Sequence, residues 1–344
     1  MRETTKKAAL MSIHRSRVLF GGRFIPTNIK LSSDITKKRI HNIINCRISI
    51  LAFRKNEDML SIDPAKISTA KLHGYLLSAV APRPIAFAST IDSKGNPNLS
   101  PFSFFNVFSA NPPIMIFSPA RRVRDNTTKH TLENVKEVNE VVINVVNYDI
   151  VQQMSLASTE YSKGINEFEK AGFTMLRSDL IKPFRVEESP VQFECRVNEI
   201  VELGTKGGAG NLIICQVLKM HISNEVLAKD GSIDQQKLDL VSRAGGSYYS
   251  RANKGFFEIP KPLSTLGIGI DQIPHEIRNS NTLSGNNLGM LANVEFLPNQ
   301  QDVDNFLKEN HQFIGIKTAE KHKFAKQFLA NNDVESAWKV LLIK

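Results

Sequence analysis

The chain lacks any uninterrupted apolar run of the roughly 18 residues that a membrane-crossing helix requires. The N-terminus also has no continuous apolar segment ahead of a small-residue cleavage site, so no secretory signal is expected. Cysteine is scarce: Cys46, Cys195 and Cys215 are the only three, and they lie far apart. An odd, sparse set argues against a disulfide framework and against a zinc site, and for a reducing, cytoplasmic compartment. Cys195 and Cys215 sit in apolar strand patterns and read as buried packing residues rather than nucleophiles. The eight histidines contain no His-x-x-x-His pair, so no metal site is assigned. No Ser-His-Asp arrangement and no pair of catalytic carboxylates stands out, so no catalytic residue is assigned either. Gly267-Ile-Gly269 lacks the third glycine of a dinucleotide fingerprint and reads as a loop. In the stretch Gly204 to Gly210, Lys206 precedes the glycines and a strand follows. A P-loop instead carries Gly-Lys, then Ser or Thr, then a helix. A flexible hairpin loop is the reading there, with a dimer or cofactor contact as the alternative.

The net charge of +10 invites a nucleic-acid reading, but its location removes it. Met1 to Asp58 holds 13 Lys and Arg against 4 Asp and Glu, a net of +9, which leaves the remaining body with +1. No nucleic-acid or membrane partner is therefore expected of that body. The basic segment has no clear hydrophobic period. Met59, in MLSIDP, reads as an alternative start, and residues 1–58 as a dispensable extension. A basic arm for nucleic acid or membrane, or an Arg-rich transit peptide, are the other readings of that segment.

What is present is concentrated between Pro82 and Thr131. Ile85 to Ile91 is apolar and β-branched enough for a largely buried strand. Ser93, Lys94, Gly95 and Asn96 supply turn chemistry, and the chain returns through Asn98 to Phe105. Alternation along that return would place Ser100, Phe102 and Phe104 on one face and Ser103 and Phe105 on the other. Pro101 cannot donate to a ladder, which points to a sheet edge or a bulge. Any one phenylalanine here is most simply core. Three of them interleaved with Ser100, Ser103 and Asn106 fit a dry core less well, because unpaired hydroxyls are costly there. A short strand from Ile114 to Phe117 then leads to a loop with Arg121, Arg122, Arg124 and Lys129 beside Thr127 and Thr128. Leu132, Val135 and Val138 recur at helical spacing, and Asn126 or Thr127 would serve as the N-cap. Free amides at a helix start beside Arg and Thr form an anion site. Together these parts suit a flat aromatic cofactor that carries a phosphate.

At this point the sequence resembles the flavin reductase-like, FMN-binding split-barrel family, which includes flavoredoxin and the reductase components of two-component monooxygenases. The matching residues are Arg83-Pro84-Ile85, Ser89-Thr90, the run Asn98 to Asn106, Pro112-Pro113 and Arg124-Asp125-Asn126-Thr127. Asn166-Glu167-Phe168, Ala171-Gly172-Phe173, Glu188-Ser189-Pro190 and Phe193-Glu194-Cys195 continue it, over roughly Leu72 to Tyr249. One departure is the loop RVRDNTTKHT, where the family often has a compact Lys-Asp-Thr.

The resemblance implies a mainly β protein with flanking helices, an antiparallel Greek-key split β-barrel, assembled as a homodimer. It implies FMN as cofactor, NAD(P)H as substrate, and electrons passed to free flavin or a monooxygenase partner. The cofactor-binding residues it points to are Ser89, Thr90, Ser100, Pro101, Phe102, Ser103, Phe105, Asn106, Arg124, Asn126, Thr127 and Lys129. Two other readings stay open: a non-enzymatic flavoredoxin-like electron carrier, and a flavin-independent binding module on the same fold.

Further along, Val141 to Val146 reads as a buried strand, and Val151 to Tyr161 and Asn166 to Ala171 as helical pieces. Val191 to Leu203 and Asn211 to Ser223 read as long strands, and Arg243 to Tyr249 as the end of the barrel. Pro260 to Pro298 looks like a connecting arm, followed by amphipathic helices over Asp302 to Asn310 and Thr318 to Leu342. The expected division is therefore a basic extension 1–58, a split-barrel domain 59–258, and a C-terminal arm with helices 259–344. That last part reads either as a lid or dimer element or as plain packing.

Overall fold

The structure is a computed structural model that describes residues 59–259 and 266–344, with the backbone of two short N-terminal strands. These strands, β1 (Arg17–Phe20) and β2 (Arg23–Pro26), pair antiparallel. Otherwise the expectation for residues 1–58, with Cys46, lies outside the described residues, as do residues 260–265 of the expected arm. The chain divides into two compact units, with the boundary between Lys254 and Gly255.

The first unit is built on a seven-stranded sheet. Its strands are β3 (Ala86–Ile91), β4 (Pro97–Phe102), β5 (Phe105–Ala110), β6 (Pro113–Phe117), β7 (Glu140–Asn144), β10 (Val191–Glu202) and β11 (Asn211–Ile222), while the short strands β8 (Met175–Leu176) and β9 (Arg185–Val186) pair separately. The order across the sheet is β4-β3-β7-β10-β11-β6-β5, and every pairing is antiparallel. β4 and β5 thus lie at opposite edges, yet only Ser103 and Phe104 separate them in the chain. Three Cα–Cα steps reach about 11 Å at most. The sheet must therefore curl until its edges nearly meet, which is what makes it a barrel. The Phe102 and Phe117 rings, from β4 and β6, meet inside with centroids 5.5 Å apart.

The barrel core follows from two-residue alternation. Ala86 and Ala88 face inward with Phe117, Val141, Ile143 and Ile213, while Phe87 faces outward against Phe173, Met154 and Phe168. Every residue of β3 is buried because both of its faces are covered. The outer cover includes helices α3 (Val151–Leu156) and α4 (Glu167–Ala171), and α4 ends at Gly172 in the left-handed conformation. α2 (His130–Glu137) seals the inner cluster with Leu132 and Val135. α1 (Thr69–Ala79) is capped by the Ser68 hydroxyl.

Three local expectations are corrected. The return strand ends at Phe102 rather than Phe105, and Phe104 is exposed at the bend, its carbonyl accepting from the Ser118 amide at 2.9 Å. Ser100, Phe102 and Phe104 therefore do not form one continuous face. The helix after Val151 stops at Leu156 rather than Tyr161, and Ser158 to Gly164 run as an irregular segment. After the short helix α5 (Gln235–Leu238), the expected connecting arm contains helices α6 (His275–Arg278) and α7 (Gly285–Ala292).

The second unit adds α8 (Gln300–Glu309), α9 (Thr318–Ala330) and α10 (Val334–Leu342). The single helix expected over Thr318 to Leu342 is broken at Asn332, whose φ of 59° no helix can continue. The turn folds α10 back so that Leu329, Ala337, Trp338 and Leu341 share a core with Leu291. The indole N–H of Trp338 donates to the Leu291 carbonyl at 2.9 Å, which satisfies the one polar atom of a buried ring.

Candidate functional site

The site grows from the loop that leaves β6. Ser118 and Pro119 anchor its start: the Ser118 hydroxyl accepts the Asn211 amide at 3.0 Å, and the Pro119 carbonyl accepts the Asn211 side chain at 2.7 Å. Arg121 then holds the loop in shape. Its guanidinium donates to the Asn126 side-chain oxygen at 2.8 Å and to the Asn126 carbonyl at 2.9 Å. Asn126 adopts φ 60°, a left-handed turn conformation that asparagine tolerates. Asn126 and Thr127 are thus not helix caps, contrary to expectation. The N-cap is Lys129, without a side-chain hydrogen bond. The reason is tertiary: Asn126 is bound by Arg121 and donates to the Thr205 carbonyl at 3.0 Å, and Thr127 is bound by Asp125.

The glycine-rich segment Gly204 to Gly210 buttresses this loop. The Arg121 amide donates to Ala209 at 2.8 Å, and the Gly208 amide donates to Arg121 at 3.0 Å. Gly207 lies directly against the backbone of Arg122 and Val123. These glycines permit close backbone approach rather than binding a nucleotide themselves.

The loop delivers its cations to one point. The Arg122 Nε donates to Glu160 Oε1 at 2.9 Å, Arg124 donates to Glu160 Oε2, and the Lys129 ammonium lies 3.7 Å from Oε1. Arg122 is fixed further by Thr127 Oγ1 at 2.8 Å and by the Thr128 carbonyl. Arg124 also donates to Asp125 at 3.0 Å. The Thr127 hydroxyl and amide, with Arg124 behind them, hold the Asp125 carboxyl well below the usual carboxylate range. Burial, then the neighbouring Arg122 charge, depresses the Lys129 ammonium. Arg121, Arg122, Arg124, Thr127 and Glu160 surround a cavity of about 510 Å³, also lined by Thr128, His130, Glu133 and Tyr161. Planar guanidinium forks beside an ammonium match a phosphate well.

A second, narrower cleft adjoins it, where Ser100 and Asn98 meet Arg122, Lys129, His130 and Glu167. Below it lies a buried polar network: Asn98 donates to Thr131 at 2.9 Å, and Asn134 donates to Thr90 at 3.1 Å. Glu167 accepts the Leu99 amide at 3.0 Å, and burial pushes its carboxyl up.

The structure therefore brings Arg124, Thr127, Lys129 and Ser100 around adjoining cavities, with Asn126 supporting the loop. Ser89 and Thr90 are fully buried in β3, and among the described residues the Ser89 hydroxyl has no hydrogen-bond partner. Phe102, named among the expected cofactor-binding residues, lies in the barrel core against Phe117. Pro101 and Phe105 are half-buried on the two edge strands, and Asn106 is exposed. The Ser103 hydroxyl accepts Arg83 Nε at 3.3 Å. Arg83 is itself buried, bound to the carbonyls of Leu77, Val80 and Ala244, and lowered by desolvation and by Arg243.

Arg122 and Glu160 were absent from the expected binding set. The RVRD run pointed toward Arg122, but no sequence signal ties Glu160 to it. Elsewhere, Asp179, Glu194 and His221 come close enough to hold a metal. The Glu194 oxygens already accept the Asp179 and Leu180 amides and His221, and Asp179 pairs with Lys219. That arrangement is an ion-pair network. Burial pushes the Cys195 thiol up to about 12 and Cys215 well above its usual value, so neither is a ready nucleophile.

Known proteins share this fold. The family model described as flavin reductase like domain matches residues 78–238. An uncharacterized protein of Aquifex aeolicus (strain VF5) is 35% identical over 181 residues, which is 53% of this chain and 90% of that protein. Nitrilotriacetate monooxygenase component B from Bacillus cereus aligns with a TM-score of 0.54 at 27% identity, covering 59% of this chain and 98% of that one. A candidate flavin reductase with a split barrel domain from Shewanella frigidimarina NCIMB 400 aligns at TM-score 0.50 and 25% identity, covering 59% of this chain and 100% of that one.

Proposed function

We propose a function from one premise: this chain belongs to the flavin reductase-like family, and its seven-stranded sheet is the antiparallel split barrel of that family. The chain is an FMN-binding oxidoreductase that takes hydride from NADH or NADPH and passes electrons to free flavin or to a partner oxygenase. The observation that carries this reading is the convergence of Arg122, Arg124 and Lys129 on a single anion position beside an open cavity. The FMN phosphate would be held there by Arg122, Arg124 and Lys129, and Arg121 and Asn126 keep the loop in shape. Ser100, Ser103, Phe105 and Asn106 would contact the flavin ring, while Pro101 and Phe102 belong to β4 itself and Ser89 and Thr90 to the neighbouring β3 that pairs with it. When bound, FMN supplies the hydride-accepting ring. The protein's own task is to fix the ring against the nicotinamide and to hold the phosphate, which needs no acid or base side chain.

The exposed Val107 and Phe108 on edge strand β5 support a homodimer. A partner oxygenase is proposed from the likeness to a monooxygenase component B. Among the described residues no helix is long and apolar enough to cross a membrane. The cytoplasmic compartment is proposed from the unpaired Cys195 and Cys215.

The test is anaerobic mixing of the FMN-loaded chain with NADH and, separately, NADPH. Rapid bleaching of the flavin by either is the expected result. FMN binding without bleaching would leave an electron carrier, and no FMN binding at all would leave a flavin-independent module.

A further inference from the structure

The phosphate seat is already filled by a side chain of the protein itself. Glu160 lies in the irregular segment after α3, more than thirty residues from the cations it meets. Both of its oxygens are engaged, Oε1 by Arg122 and Lys129 and Oε2 by Arg124. We infer that Glu160 is an internal competitor for the anion position: its carboxylate occupies the seat when no flavin is bound, must leave for the phosphate to enter, and returns to help expel it. This inference rests on the phosphate-seat reading above.

Charge and geometry support displacement rather than shared occupancy. A phosphate monoester brings close to two negative charges and three acceptor oxygens, against one charge and two oxygens for a carboxylate. The two anions cannot sit together without like-charge repulsion. The two arginines, in contrast, keep other partners when Glu160 leaves. Arg122 stays held by Thr127 and Thr128, and Arg124 by Asp125. The hydrogen bonds from Arg122 and Arg124 hold the Glu160 carboxyl below the usual range, so the competitor is charged at neutral pH. Its side chain keeps 37% of its exposure, so moving outward into water meets no packed wall.

The consequence is a flavin that exchanges. A seat of several cations with no internal anion would hold a phosphate monoester as a resident cofactor. Subtracting the cost of evicting Glu160 weakens FMN selectively and leaves riboflavin untouched, because riboflavin has no phosphate. That is the property needed by a protein that releases flavin to an acceptor rather than keeping it.

The experiment compares wild type with Glu160→Gln in the full chain. Dissociation constants are measured for FMN and riboflavin by flavin fluorescence, the FMN release rate by stopped flow, and inorganic phosphate by its protection against thermal unfolding. The expected result is FMN and phosphate binding tighter by about tenfold, FMN release slowed to match, and riboflavin unchanged. Weaker FMN and phosphate binding in Glu160→Gln would show that Glu160 orients the arginines instead, and would overturn the inference. No change in either ligand would overturn it too. Failure of the seat itself has a different signature: wild type and Arg122→Ala would then bind FMN and riboflavin alike, which removes the proposed phosphate site and this inference with it.

Discussion

Gly207 stands so close to Arg122 that a methyl group on its Cα would lie 2.9 Å from the Arg122 carbonyl oxygen and 3.0 Å from that of Val123. Both obstacles are backbone atoms of the loop that carries the cations, so a larger residue must push the whole loop. Gly207→Ala is expected to cost about 1–3 kcal/mol of stability. It should also weaken FMN more than riboflavin, because Arg122 moves with its backbone. Denaturant unfolding and parallel flavin titrations check both effects, and an unshifted FMN affinity would separate the two loops functionally.

The two arginines on Glu160 should differ. Arg122 is largely buried and tied to Thr127 and Thr128, whereas the Arg124 side chain is 68% exposed. Arg122→Ala is expected to weaken FMN by about 10- to 100-fold, as for a lost charge-assisted bond in a partly dry site. Arg124→Ala should cost at most about fivefold, since water screens it. Riboflavin titrations provide the control, and a larger loss for Arg124→Ala would relocate the seat toward the outer edge of the cavity.

Glu167 gives a pH signature. Burial raises its folded-state pKa above the ordinary glutamate value, so the folded protein binds this proton more tightly than the unfolded chain does. Its cost is absent below that value and grows as pH rises through the raised folded pKa. Wild type should therefore lose stability relative to Glu167→Gln as pH climbs from about 4 toward neutrality. Chemical unfolding of both proteins across that range is the measurement, and a constant difference would contradict the assignment.

A chain beginning at Met59 is expected to fold with an unchanged melting temperature and to bind FMN as the full chain does. Calorimetry of the two chains side by side is the check. A lowered melting temperature would assign a packing role to residues before Met59.

The legible parts were those set by local pattern. The apolar, β-branched runs marked β3 and β7, which are buried along nearly their whole length, and the long runs of mixed polar and apolar residues marked β10 and β11. The RVRDNTT segment marked the cations because charge and hydroxyls clustered in one loop. What escaped was decided by tertiary contacts. Asn126 looked like a helix cap until Arg121 is seen to hold it in a left-handed turn. Phe102 stands in the expected cofactor-binding set, and only barrel closure shows that it turns inward onto Phe117. Glu160 meets Arg122 only because the segment after α3 folds back over the loop, and no spacing encodes that.

Trp338 is the single tryptophan of the chain, and it lies fully buried in the helical C-terminal unit. The molecule therefore carries a private optical reporter of that unit. A red shift of tryptophan emission dates the opening of the Leu291–Trp338 core and nothing in the barrel, while bound flavin would report on the barrel alone. Followed together through one denaturation, the two colours would tell whether the halves melt as one body or in sequence.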